Sequence, residues 1–262
     1  MGAITALFLF LWGLLLYYSG RLDIPRNLTG LADYLMTEMS LTFSSMLLTL
    51  LTIMLSAGAV SSDLETGLVH GILSRPLSRV EYVLGKLFGL AAITAASATV
   101  FYALLLGIGG IFGLSTVVSL TARQIIGGWL LFMTAPLAIL CLTLWGSVNL
   151  RTVPNGILMI FIYILGKAGG MVEMVGQLIN SRSISVSGIF LSVVSPFHML
   201  YTTCQNFLLP TAGLLQSAAA RAAGELNGSG PPPSKWMYAY TAAYVIGFVL
   251  LALRGFSKKD IT

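Results

Sequence analysis

Long apolar runs leave this chain few places to go. Six stretches approach the roughly 20 apolar residues needed to cross a bilayer: residues 3–18, 41–60, a run within 82–112, 125–148, about 155–178 and 236 to about 253. Lipid cannot satisfy exposed backbone groups, so continuous runs of this length form helices. They are too long and unbroken for the alternating strands of a membrane barrel. The charge content agrees. Asp, Glu, Lys and Arg make up 9% of the 262 residues, against about 25% in a soluble domain. The sequence therefore predicts one all-α integral membrane domain spanning residues 1–262, with six transmembrane helices and Pro136 kinking the fourth.

The apolar start has no basic residue before it and no small-x-small cleavage site after it, so it reads as a retained helix rather than a signal peptide. Basic residues orient the spans. With both termini cytosolic, the inner segments hold Arg75, Arg79, Lys86, Arg151, Arg254, Lys258 and Lys259. The outer segments hold Arg21, Arg26, Arg123, Arg182, Arg221 and Lys235, but three of these share one long loop, where basic residues weigh less. Tyr17 and Tyr18 close the first span, and Trp236, Tyr238 and Tyr240 open the last, as interfacial aromatics do. The net charge of +5 then belongs to membrane edges and anionic lipid, with no nucleic-acid partner implied. Cys141 and Cys204 lie in separate regions, which argues against a disulfide.

The outer segment 179–235 is too long for a plain connection. Pro196 and Pro210 divide its apolar part into pieces too short to span, which predicts re-entrant or surface-lying helices. An Ala-rich helix-favouring stretch and the turn and proline run "NGSGPPPSK" follow.

Charge gathers in the stretch "SSDLETGLVHGILSRPLSRVEYVLGKLFG", residues 61–89, between the second and third spans. Leu64, Leu68 and Ile72 recur every four residues, predicting one apolar face of a short helix. Asp63 and Glu65 fall in its first turn, where carboxylates complement the helix dipole. Pro76 disfavours helix at Arg75 and redirects the chain. Ser78 with Glu81 three residues on forms a capping-box pattern that starts the third span. A short helix across the membrane face, a basic elbow and a span make a rigid projection suited to docking.

The same residues carry a resemblance. The segment resembles the cytosolic link between the second and third spans of ABC-2 type transporter permeases. Asp63, Glu65, Gly67, Leu73, Ser74, Arg75, Pro76, Ser78, Arg79, Glu81, Tyr82, Leu84, Gly85 and Lys86 occupy matching positions. Leu68 stands where a Thr is usual, and the family's amphipathic helix before the first span has no counterpart. The six-span layout and the basic end from Phe256 to Ile261 also match. The resemblance implies an exporter permease in the cell membrane. It would pair with a second, identical or homologous permease copy and with ABC ATPase subunits docked on the coupling segment, residues 61–81. Leu64, Leu68 and Ile72 would enter a groove on the ATPase, with Arg75 and Arg79 facing acids at its rim. ATP and Mg would be bound by that partner, and this chain would hold no cofactor.

Other chemistry is poorly represented. Gly85-Lys86 and Gly166-Lys167 lack the remaining residues of a phosphate-binding loop, so ATP hydrolysis is expected elsewhere. Asp63, Glu65 and His70 suit a helix start better than a metal site, and His198 with Cys204 falls short of the usual three or four ligands. No G-x-S-x-G or H-E-x-x-H motif occurs. An intramembrane lipid-modifying enzyme would need clustered acids or histidines at the bilayer edge. An ATP-independent carrier or channel would transport alone in liposomes. Lys167 and Glu173 are the intramembrane candidates of the fifth span. Lys167 lies about 20 Å into it, and the six-residue offset puts the two on different faces. Either Lys167 serves cargo, or it snorkels outward or pairs with an acid while Gly166, Gly169 and Gly170 let helices pack closely.

Overall fold

The computed structural model describes residues 13, 29–68, 78–179, 181–209 and 235–257. Among these, regular structure is entirely helical. Among the described residues, five helices are long and apolar enough to cross a membrane: Asp33–Glu65, Arg79–Ile111, Ala122–Asn149, Thr152–Val172 and Tyr238–Ser257. The expected first span, 3–18, lies outside the described residues except for Gly13.

In chain order the helices are α1 (Thr29–Ser56), α2 (Ser61–Glu65), α3 (Arg79–Ile111), α4 (Ser115–Val118), α5 (Ala122–Asn149), α6 (Thr152–Leu178), α7 (Arg182–Val194), α8 (Phe197–Leu208) and α9 (Lys235–Ser257). A tight turn joins α1 to α2, with Ala57 N–H donating to Ile53 O. At 33 residues, α3 is about 50 Å long, well beyond the ~30 Å hydrocarbon core. The helix therefore extends past the apolar layer by roughly 20 Å in all when it stands upright.

The central helix is α5, which packs against α1, α3, α8 and α9. Lipid tails are as apolar as these side chains, so close packing rather than the hydrophobic effect holds such a bundle together. The sequence supplies small residues where neighbours approach. A Cβ on Gly127 would sit 2.5 Å from Phe207 Cε1, and one on Gly128 would overlap Leu208. Around α5, one cluster gathers Phe101, Tyr102, Phe132, Tyr201 and Leu208. A second gathers Ile53, Ile139, Leu142, Met159, Tyr163 and Phe197. Pro136 lies inside α5, which continues through it.

Helix α1 begins twelve residues before the span expected at residue 41. The extension carries Asp33 and Glu38, which hydropathy placed outside the membrane. Glu38 is only 5% exposed, and its carboxylate meets Gln205 Nε2 at 3.5 Å and the Tyr34 hydroxyl. Several α1 hydroxyls donate to the carbonyl four residues back, as Thr37, Ser40, Thr49, Thr52 and Ser56 do. These bonds let most of a polar helix face be buried with its donors satisfied, although the buried Ser44 hydroxyl has no partner among the described residues.

Helices α7 and α8 form a re-entrant hairpin. α7 returns along α6, and the chain reverses at Ser195-Pro196 against Gly166, about midway along α6. α8 then runs back until Phe207 and Leu208 reach Gly127 and Gly128, near the start of α5.

Candidate functional site

The site is built where α3 begins. Ser78 has extended backbone (φ −73°, ψ 150°) and its hydroxyl accepts from Glu81 N–H at 3.2 Å. In return, Ser78 N–H donates to Glu81 Oε2 at 2.7 Å. Two orphan amides are thus satisfied and the helix start is fixed. Tyr82 and Lys86 follow one turn apart on one face. Both reach Asp63 in the first turn of α2: the Tyr82 hydroxyl donates to Asp63 Oδ2 at 2.6 Å, and Lys86 Nζ lies 2.7 Å from the same oxygen. The Tyr82 ring stacks on Phe256 with centroids 5.3 Å apart. Arg79 Nη1 donates to Ser257 O at 3.1 Å. The start of α3 therefore fastens α2 on one side and the end of α9 on the other.

The base of α2 is held from beneath. Ser147 of α5, fully buried, accepts from both Val60 N–H (2.9 Å) and Ser61 N–H (3.0 Å). Its hydroxyl thereby takes up amides that a helix start leaves without intrahelical partners. Ser61 Oγ meets Thr152 Oγ1 at 2.9 Å. Asn155, also fully buried, donates from Nδ2 to Ala57 O (2.9 Å) and Thr143 O (3.1 Å). Gly146 makes room for it, since a Cβ there would overlap Asn155 Oδ1. Four polar side chains thus tie the α1–α2 turn to α5 and α6.

Residues 2–261 match the family model for an ABC-2 family transporter protein. The chain belongs to the ABC-2 family. No curated protein matches it. The ABC-2 chain is accordingly a multi-pass membrane permease, and its family implies an ABC transporter system with an ATPase partner.

In this ABC-2 permease, Asp63, Ser78, Arg79 and Glu81 converge as one junction with Tyr82 and Lys86. Asp63 thus serves as an acceptor for α3 in addition to standing in a first turn. Arg79 bonds the last span's end, where the sequence suggested a partner's acid. The single helix expected through Leu64, Leu68 and Ile72 is interrupted. α2 ends at Glu65, and Gly67 takes φ 72°, a left-handed conformation that favours glycine. Leu64 consequently turns inward onto the cluster of Val60, Tyr82, Val83, Leu144, Val148 and Phe256, while Leu68 is 58% exposed. Glu65 is exposed as well. Ile72, Ser74, Arg75 and Pro76 lie outside the described residues. Lys167 stands apart from the junction on α6, its Nζ 5.3 Å from the Tyr201 ring centroid; Glu173 lies six residues further along the same helix. Ser147 and Asn155 escaped notice because single small polar residues in apolar runs carry no periodic signal.

Proposed function

We propose that this ABC-2 permease is the membrane half of an exporter, with residues 61–81 forming a cytosolic coupling segment that docks on a separate ATPase. Two permease copies would enclose the substrate path, and six spans would put both termini in the cytosol of a cell-membrane protein. The observation that carries this reading is the contrast between base and tip of the segment. Asp63 is fastened to α3, and the turn before it to α5 and α6, whereas Leu68, just past the Gly67 turn, exposes a large apolar side chain. A fixed base with a free apolar tip suits transmission of force from a partner's groove. Gly85 and Gly89 stand four residues apart on α3, and a Cβ added at either would meet nothing within 4 Å. Such open small-x-x-x-small faces favour helix pairing between copies.

Leu68→Asp tests the docking reading. It would place a charge in a dehydrated groove, and apolar anchors carry most of the affinity of such contacts. Co-purification of the ATPase with the detergent-solubilised permease is expected to be lost. Assembly and ATP turnover equal to the parent would overturn the proposal. The topology has its own test. In a background lacking Cys141 and Cys204, Ser78→Cys and Ser229→Cys are expected to label oppositely with an impermeant thiol reagent on intact cells. Labelling of the Ser78→Cys variant from outside would place the coupling segment on the wrong face.

A further inference from the structure

Three features that favour negative charge lie around the re-entrant tip. Lys167 Nζ lies 5.3 Å from the centroid of the Tyr201 ring. That ring is held at its hydroxyl, which lies 2.7 Å from Thr42 Oγ1. Among the described residues no carboxylate lies within ion-pair distance of the ammonium. Glu38, on the helix facing Tyr201, is engaged by Gln205 and Tyr34. The second feature is Ser195, at the hairpin break against Gly166, the residue before Lys167. Ser195 is 0% exposed, and its hydroxyl has no hydrogen-bond partner among the described residues. Third, α8 starts at the same break, with Pro196 as its N-cap, and the first amides of a helix have no intrahelical acceptors. An ammonium, an unpartnered hydroxyl and a helix N-terminus all gain from an anion.

The surroundings limit what kind of anion. Tyr163, one turn before Lys167, Phe197 and Leu200 belong to one buried apolar cluster, and the break lies about midway along a membrane-length helix. A small hydrated ion would lose its water there with little return. An anionic group carried on an apolar chain would not, because the chain remains in hydrocarbon.

We infer that Lys167, Tyr201 and Ser195 form an intramembrane site for the anionic headgroup, phosphate or carboxylate, of an amphiphile. The inference rests on the permease reading for its role in transport: it names the class of cargo or lipid that this path would admit. Lys167 supplies the charge, Ser195 a donor with no partner among the described residues, and Tyr201 holds the ammonium in place through its ring face.

The test is direct binding of radiolabelled dodecyl phosphate to the purified permease in phosphatidylcholine nanodiscs, with no ATPase or nucleotide present. Saturable binding is expected for the parent and for Lys167→Arg. Lys167→Met is expected to weaken it by about tenfold or more, as loss of a charged hydrogen-bond donor does, while eluting as a folded protein in size-exclusion chromatography. Dodecanol and inorganic phosphate are expected not to displace the probe. Unchanged binding by Lys167→Met would overturn the site. Displacement by dodecanol would show that the chain alone is recognised, and displacement by inorganic phosphate that a soluble anion is the ligand; either result overturns the inference. A permease that binds the probe but fails to assemble with an ATPase would instead refute the coupling reading and leave this site intact.

Discussion

Gly146→Ala is expected to lower the thermal midpoint of the solubilised permease by several degrees, a large response to one methyl group. The added Cβ would overlap Asn155 Oδ1 and sit 2.7 Å from Met159 Cε. Met159 is flexible, but Asn155 cannot yield cheaply. Both protons of its amide are committed, to Ala57 O and Thr143 O, and the side chain is fully buried. Overpacking of this kind costs about 1–3 kcal/mol, and rotation of Asn155 would forfeit two interhelical bonds averaging about 0.6 kcal/mol each. A loss of that size moves the midpoint by about 2–4 °C per kcal/mol in a domain of this length. The protein carries its own reporters, because Cys141 and Cys204 are buried free thiols that react with a fluorogenic maleimide only on unfolding. Gly247→Ala serves as the comparison, since nothing lies within 4 Å of a Cβ there. Equal midpoints for the two variants would show that the Asn155 tie does not constrain the bundle.

The second large effect concerns coupling. Asp63→Ala removes the acceptor shared by Tyr82 and Lys86, freeing α2 from the start of α3. Hydrogen bonds to a charged group contribute about 1.5–3 kcal/mol, and the Lys86 ammonium, partly solvent-exposed, can turn to water, so the lower end applies. The protein should still insert and bind its ATPase, because Ser147 and Asn155 continue to hold the base of α2. Transport in proteoliposomes should fall much more than ATP hydrolysis. Tyr82→Phe should behave as a milder version, since the ring can still stack on Phe256. A double-mutant cycle between Asp63→Ala and Lys86→Ala measures the link itself. Strictly additive effects on transport would mean that the two residues act independently, and the junction would then not transmit force.

Local signals in the sequence carried over well into the structure. Ser78 and Glu81 form the predicted capping box because both partners lie within one turn and need nothing from the rest of the fold. The two apolar pieces divided by Pro196 form a hairpin because each is too short to cross and proline sets the break. Long-range pairings were not legible. Asp63 and Lys86 are 23 residues apart with a change of direction between them, and the acid's proximity to a helix start was sufficient reason for its presence. Glu38 was misplaced for a different reason. Hydropathy counts a carboxylate as solvated, yet Gln205, some 167 residues away, and Tyr34 supply its donors inside the bundle. The interruption at Gly67 was hidden by apolar spacing that continues across it, since Leu64 and Leu68 suit a helix whether or not the backbone between them stays helical.

The re-entrant hairpin also gives the described part of the molecule unequal girth. Long helices such as α3 and α5 run the full depth of the bundle, but α7 and α8 occupy only the half between Ser195 and the start of α5. With helices about 10–12 Å across, those two arms add roughly 160–220 Å² to the cross-section in one leaflet and nothing in the other. The described part of each inserted copy is therefore wedge-shaped. A planar bilayer must absorb the mismatch as an imbalance of lateral pressure, so the membrane's spontaneous curvature becomes a variable that favours or opposes this shape. Any rearrangement that draws the arms outward or inward would change the wedge angle and do mechanical work on the surrounding lipid.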